Sequence, residues 1–331
     1  MNFAEVEKIA AAILYEGYIL YPYRPTAIKN RQRWNFGTLY PRIYAESQRP
    51  QEPFRLVAEC LVETRSEDAA LNLKIQSLQL IRQSREPSDQ PAGSINALTD
   101  PSLEWDEAIE RNKELKNLLL SELVDHPLTL ALQMDASGLA DDISSQQLQG
   151  IQALLKVGTA LLPSGGYRLR LELENTSPLP NGAAARRDEA LPLAFVSAHI
   201  LLGLHGGEFV SLLDPPESYR ESAAACCNVG VFPVLAGEEP NRSMMLCSPI
   251  ILYDYPKIAP ESEGDFFDGT EMDEMLTLRV LTLTDAEKQE IRDGDPRARR
   301  ILERTEALTP ESLMKAHGVI RGMRDIRAEA R

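Results

Sequence analysis

The sequence predicts an α+β protein with an antiparallel, sandwich-like β-rich middle, an N-terminal helix and a C-terminal helical segment. Three observations predict it. Residues 151–175 alternate apolar and polar side chains on both sides of a Pro-Ser-Gly-Gly turn, the period of half-buried antiparallel strands. Residues 3–17 space their apolar side chains at the helical period. From Thr284 onward, helix-start signals recur in a background of eleven basic and ten acidic residues counted from Asp285. There is no βαβ rhythm and no glycine-rich phosphate loop after a strand, which argues against a dinucleotide-binding or P-loop enzyme.

Taken in order, Phe3, Val6, Ile9, Ala10, Ile13 and Leu14 form the apolar stripe of the first helix, with Asn2 as its N-cap. Tyr18–Tyr23 reads as a short extended piece ended by Arg24-Pro25. Between Phe54 and Arg82 the chain is β-rich: Leu56, Ala58, Cys60 and Val62 alternate, then Leu71, Leu73 and Ile75. The phase shifts to Leu78 and Leu80, which signals a bulge or a change of exposed face. Residues 84–101 hold three Pro and read as a loop. Residues 103–124 read as a helix, with Ile109, Leu115, Leu118, Leu119 and Leu123 near one stripe and Pro127 as its stop. In the 151–175 hairpin Leu169, Leu171 and Leu173 are expected in a core. Arg168, Arg170, Glu172 and Glu174 are expected to face solvent or a partner. Residues 175–188 read as a second loop. Phe195–His205 and Glu208–Leu213 read as a second hairpin around Gly206-Gly207. Short apolar segments fill 229–252, and Leu276–Thr284 reads as one more strand. Thr284-Asp-Ala-Glu287, Asp295-Pro296 and Thr309-Pro310-Glu311 each open a helix. The expected organisation is an N-terminal α+β region at 1–140, a β-rich domain at 141–284, and a helical segment at 285–331, separate from the β-rich domain or continuous with it.

A length of 331 residues with 43% hydrophobic and 26% charged residues describes a globular protein with a sizeable core. The net charge of −15 disfavours nucleic acid and anionic membrane surfaces as partners, because a polyanion is repelled. No apolar run approaches the ~20 residues that span a bilayer, so no membrane insertion is expected. Glu5 and Glu7 precede Lys8, unlike the basic start of a secretion signal. Cys60, Cys226, Cys227 and Cys247 form no CxxC pair and read as free thiols of a cytoplasmic protein.

Four constellations are candidates for function. Tyr21–Pro41 interleaves Arg24, Lys29, Arg31 and Arg33 with Tyr21, Tyr23, Trp34, Phe36 and Tyr40, and the five basic residues from Arg24 to Arg42 meet no acid in between. Such a block binds an anionic group or a partner protein, or pins itself to carboxylates of its own chain. Asp254–Glu274 has eight acids and one base, among them Asp265, Asp268, Glu271 and Asp273. It reads as an acidic interaction surface, docked against the basic block or solvated, or as a hard-cation site without the EF-hand spacing. His199 and His205 fall on the same, less buried face of a strand about 20 Å apart at ~3.3 Å per residue. With Asp214 and the cysteines they are weak candidates for a metal site, which needs convergence in the fold. No nucleophile elbow or cysteine-protease signature is present, so no catalytic residue and no cofactor are expected.

Three blocks carry a resemblance: 15–41 (YEGYILYPYRPTAIKNRQRWNFGTLYP), 207–217 (GEFVSLLDPPE) and 248–288 (SPIILYDYPKIAPESEGDFFDGTEMDEMLTLRVLTLTDAEK). The sequence resembles a family of uncharacterised bacterial proteins encoded near the genes of uptake nickel–iron hydrogenases. The resemblance covers the N-terminal block and most of residues 195–310. It implies a non-catalytic accessory or maturation role, with a hydrogenase subunit or a maturation factor as partner. It carries over no catalytic or metal-binding residue. The chain lacks the CxxC pairs and His-rich tracts that metal-delivering proteins often use, which argues against direct metal delivery. The alternative is a metal- or small-ligand-binding enzyme whose site converges from His199, His205, Asp214 and the cysteines.

Overall fold

Eleven strands pair antiparallel throughout the described residues of the computed structural model, which are 3–17, 19–24, 27, 30, 36–64, 66–85, 103–137, 150–258 and 273–308. In chain order the elements are α1 (Ala4–Leu14), α2 (Arg42–Ser47), β1 (Arg55–Glu63), β2 (Ala70–Arg85), β3 (Leu103–Leu119), α3 (Glu122–Asp125), β4 (Leu128–Gln133), β5 (Asp135–Ser137), β6 (Gln152–Leu161) and β7 (Tyr167–Asn175). They continue with α4 (Arg187–Ala190), β8 (Val196–His205), β9 (Glu208–Val210), α5 (Arg220–Ala224), β10 (Phe232–Leu235), β11 (Met244–Ser248), α6 (Asp273–Leu281), α7 (Asp285–Asp293) and α8 (Pro296–Glu306). Chain contacts divide these into two compact units, one of residues 1–18 and 33–257 and one of residues 19–32 and 258–331.

The larger unit is a sandwich of two sheets. One has five strands in the order β4-β6-β7-β1-β9, the other six in the order β10-β11-β8-β2-β3-β5. The core lies between them. Leu56, Ala58, Cys60 and Val62 of β1 and Leu169, Leu171 and Leu173 of β7 meet Leu71, Leu73 and Ile75 of β2 and Ala198, Ile200, Leu202 and Leu204 of β8. The β6–β7 hairpin expected over 151–175 forms in register, from Ala153 opposite Asn175 to Leu161 opposite Tyr167. The outer face of the six-stranded sheet is covered by α1, whose Phe3, Val6 and Ala10 pack on Leu201, Val234 and Leu246. Burial of each large apolar side chain contributes about 1.5–3 kcal/mol. Lys74 of β2 adds an ion pair to Glu7 of α1 at 2.7 Å. The N-cap of α1 is Phe3, which makes no side-chain capping bond.

Segments expected otherwise fold by tertiary pairing. Residues 103–119 are a strand, not a helix: β3 pairs along β2 from Ala70 opposite Leu119 to Arg85 opposite Leu103. Their Glu, Lys and Leu content suits a helix, but the β2 edge supplies a ladder partner for each turn of the period-two pattern. The register slips between Leu71 and Leu73, where Leu118 and Leu115 stand opposite, so Lys116 and Asn117 together face Asn72. Asn117 takes the left-handed conformation (φ 57°) that this bulge requires, and its N–H donates to Asn72 Oδ1 at 2.9 Å. Where the phase of β2 shifts, its register with β8 also slips. Ser77 faces a bulge in β8, because Gln76 stands opposite His199 and Leu78 opposite Val196. Ser197, in that bulge, has φ 52°.

Phe195–Leu213 is not a hairpin. β8 pairs with β2 and β11, whereas β9 pairs with β1 in the other sheet, so the chain crosses between sheets at Gly206-Gly207. Gly206 turns there with φ 75°. Tyr21 and Pro22 lie in a turn rather than an extended piece. The loop expected at 84–101 lies, from residue 86 on, outside the described residues.

In the smaller unit Leu276–Leu281 belongs to α6 rather than to a strand. Leu276, Thr277 and Val280 are buried while Leu278 is exposed, which is a helical period. The capping box at Thr284 and Glu287 opens α7, and Asp295 caps α8 with Pro296 in its first turn. The third helix start, at Thr309, lies outside the described residues.

The bulge assignment in β3 is testable on an exposed side chain. Asn117→Val is expected to destabilise the protein by about 1–2 kcal/mol, because a β-branched residue resists positive φ, and Asn117→Gly by less than about 1 kcal/mol. Urea unfolding of both variants measures this, and equal stability of the two would contradict the bulge.

Candidate interaction surface

The histidine–cysteine candidates do not converge. His199 and His205 were expected on the less buried face of their strand, but β8 is an interior strand buried on both faces from Val196 to Leu204, and only His205 at its end is exposed. His199 Nδ1–H donates to Ser197 O at 2.7 Å and its Nε2 lies 3.3 Å from Ser248 Oγ. Ser248 Oγ also accepts from Ile250 N–H at 3.0 Å. A serine beside a histidine is the geometry of an activated nucleophile, but both residues are 0% exposed. Burial lowers the His199 pKa to about 4, so the imidazole is neutral. Asp214 is exposed on a turn, where its N–H donates to Ser211 Oγ at 2.9 Å. Cys60 and Cys247 lie in the core, Cys226 is half-buried and Cys227 exposed. Among the described residues no group of three or more His, Cys, Asp or Glu side chains could hold a metal ion. Nor, among them, is any helix long and apolar enough to cross a membrane.

Of the basic aromatic block, Arg24, Tyr21 and Tyr23 are described; Lys29, Arg31, Arg33 and Trp34 lie outside the described residues. Arg24 pairs with Glu287 at 3.3 Å and Glu290 at 3.6 Å, both on α7. The Arg279 guanidinium stands 5.6 Å from the centre of the Tyr21 ring, and Tyr21 meets Tyr23 edge to face at 6.2 Å. Asn30 ties the segment: it accepts from Leu20 N–H at 2.9 Å and donates to Leu20 O at 2.9 Å and to Arg24 O at 3.0 Å. The described carboxylate partners of Arg24 are thus glutamates of α7, outside the acidic Asp254–Glu274 stretch. Of the acidic candidates, Asp265, Asp268 and Glu271 lie outside the described residues, and Asp273 is placed by its backbone as the first residue of α6.

The residues that do converge belong to the resemblance blocks. Ser211 Oγ donates to Asp254 Oδ2 at 2.5 Å and itself accepts from the N–H groups of Leu213 at 3.1 Å and Asp214 at 2.9 Å. Asp254 Oδ1 accepts from Leu235 N–H at 2.8 Å, and Tyr255 N–H donates to Leu235 O at 2.7 Å. One carboxylate therefore clasps the 211–214 turn to β10, the outermost strand of the six-stranded sheet. The block 15–41 reaches the same segment through Gly37 (φ 56°), where an added Cβ would stand 2.5 Å from Pro249 Cβ. Large apolar side chains flank the clasp in water: Leu213 is 58% exposed, Ile251 72% and Tyr253 62%. Exposed apolar side chains beside an edge strand are candidates for burial by a partner.

Three of the four charges expected to face outward on β7 pair with side chains of the protein itself. Arg170 binds Glu59 and Glu172, Lys156 binds Glu172 at 3.2 Å, and Arg42 binds Glu174 at 3.0 Å. Beside them lies a shallow groove of about 370 Å³, lined by Pro127, Gly158, Ala160, Arg168 and Arg170 among others.

No protein-family model matches the chain, and no curated protein matches it.

Two measurements check this geometry. Asp254→Ala is expected to destabilise the protein by about 1–3 kcal/mol, since it leaves Leu235 N–H and the Ser211 hydroxyl without their acceptor; an unchanged urea midpoint would contradict the clasp. His199 binds no proton in the fold until about pH 4, whereas in the unfolded chain it does so near pH 6.5. The stability this contributes is complete above pH 6.5 and falls as pH drops towards 4, by about 2 kcal/mol between pH 7.5 and 5. His199→Gln is expected to flatten that slope in urea unfolding, and a wild-type chain equally stable at both pH values would contradict a sealed imidazole.

Proposed function

We propose that this chain is a non-catalytic accessory protein, an interaction or assembly factor associated with nickel–iron hydrogenase maturation in the cytoplasm. Its partner on this reading is a hydrogenase subunit or another maturation factor. The observation that carries the reading is that residues of all three resemblance blocks meet around β10, where the Asp254 clasp sets Leu213, Ile251 and Tyr253 in solvent. Exposed apolar side chains of this kind are desolvated by a protein partner and supply its affinity. The chain's net charge of −15 steers a basic partner surface towards it and sets the on-rate more than the affinity. The Tyr21–Tyr40 block, with Arg24, Lys29, Arg31, Arg33 and Trp34, and the acidic residues Asp265, Asp268, Glu271 and Asp273 are the further surfaces this reading assigns to partner capture.

The metal-binding alternative is weakened by the scatter of His199, His205, Asp214 and the cysteines, and by the sealed environment of His199.

The test is affinity capture from the native host at low salt with the wild-type chain, the double variant Ile251→Ser/Tyr253→Ser, and Arg31→Ala/Arg33→Ala. The wild type is expected to retain a hydrogenase subunit or maturation factor. The apolar double variant is expected to lose at least tenfold of it with an unchanged melting temperature. Equal capture by the apolar double variant, or stoichiometric nickel, zinc or iron without a protein partner, would overturn the reading.

A further inference from the structure

Arg168 is the outward charge of β7 that the protein leaves over. Among the described residues it forms no ion pair, and its buried Nε finds no hydrogen-bond acceptor. In register it stands between Ala160 of β6 and Leu61 of β1. Leu61 belongs to a buried cluster with Leu162, Val210 and Tyr219, so neither neighbour offers a side-chain acceptor. A half-buried guanidinium without an acceptor costs stability, which a bound anion offsets. The space beside it is the groove of about 370 Å³, a volume within the roughly 300–1,000 Å³ of small-ligand pockets. The groove exists because β6 places only Gly158 and Ala160 opposite Arg170 and Arg168. Pro127 walls this floor, its Cβ 3.5 Å from where a Cβ on Gly158 would stand. Lys156, Arg168 and Arg170 line the groove together with Glu59 and Glu172. Both carboxylates are already engaged. Glu59 binds Arg170 and accepts from Cys227 N–H at 2.8 Å, and Glu172 binds Lys156 at 3.2 Å, Arg170 at 3.6 Å and Arg55 at 3.7 Å. Three cations against two anions leave the lining with one positive charge, in a chain whose net charge is −15.

We propose that this groove binds a small organic monocarboxylate, with Arg168 as its counter-ion. The guanidinium is a planar fork that matches the two oxygens of a carboxylate. The short apolar body of the ligand lies over Gly158, Ala160 and Pro127, where no side chain of β6 fills the space. One surplus positive charge matches a monoanion. A phosphate dianion brings a second negative charge beside Glu59 and Glu172 and is repelled by them. The site lies on the five-stranded sheet, whereas β10 belongs to the six-stranded one, and it does not rest on the proposed partner.

The test titrates the full chain, labelled with nitrogen-15 in arginine, with butyrate near neutral pH at constant ionic strength, and follows the arginine Nε–H resonances by NMR. The Arg168 resonance, assigned by its loss in Arg168→Gln, is expected to shift saturably with a Kd below about 10 mM. The resonance of Arg186, an exposed arginine paired with Asp188, is expected to stay in place. Acetate, which lacks the apolar body, and inorganic phosphate are each expected to bind about threefold or more weakly than butyrate. Arg168→Gln, followed on the Arg170 resonance, is expected to weaken butyrate binding about tenfold or more. Gly158→Ala keeps Arg168 and meets Pro127 at an ordinary contact distance, and by raising the floor it is expected to weaken butyrate as well. No saturable shift at Arg168, an equal shift at Arg186, undiminished binding by either variant, or phosphate bound more tightly than butyrate would overturn the proposal.

Discussion

The structure depends on covering β8 from both sides. Its inner face meets the five-stranded sheet through Ala198, Ile200, Leu202 and Leu204, and Leu201 on its outer face is covered by α1. On a strand buried on both faces an unpaired polar group costs about 1–3 kcal/mol. His199 meets that demand with Ser197 O and Ser248 Oγ, and its pKa of about 4 keeps it neutral. The same coverage that makes the core seals His199, the one buried imidazole among the described residues, from solvent-borne substrates. On the proposed reading, what the molecule offers to a partner is on its edges.

The β10 edge is where local and tertiary requirements meet. β10 is four residues long, and Asp254 and Tyr255 occupy the outward backbone groups of Leu235. That protects the edge from indiscriminate pairing while leaving side chains of the 211–214 and 249–253 segments exposed. Close by, the chain crosses between sheets at Gly206-Gly207, and Arg242 bridges Glu208 and Glu63. The corner is thus held by backbone bonds and ion pairs.

Much of the fold was legible in the sequence because its signals are local. Leu169, Leu171 and Leu173 alternate with charges on a hairpin whose turn residues flank them, and the capping box at Thr284 needs only four residues. Other segments depend on distant partners. Residues 103–119 carry helix-favouring Glu, Lys and Leu, and only the β2 edge makes them a strand. In α6, Leu276 and Val280 satisfy both a period of two and a spacing of four, and burial of Thr277 with exposure of Leu278 decides for the helix. Gly206-Gly207 has hairpin chemistry, yet the open edge of β1 claims β9. The site was less legible. Asp254 reads as one acid in an acidic run, and nothing near it in sequence signals that Ser211 and Leu235 are its partners. The pairing of Arg24 with Glu287 and Glu290 was foreshadowed only by sign, since a basic block without acids needs carboxylates from elsewhere.

On the proposed reading, function resides on the β10 edge and not in the sealed interior. Site-specific photocrosslinking in the native host tests it most directly, with the crosslinking residue placed at position 253 beside the clasp or at position 161, which is 69% exposed on the other sheet. The account predicts a crosslink from 253 to a hydrogenase subunit or maturation factor and none from 161. A crosslink from 161 alone, or from neither position, would contradict it.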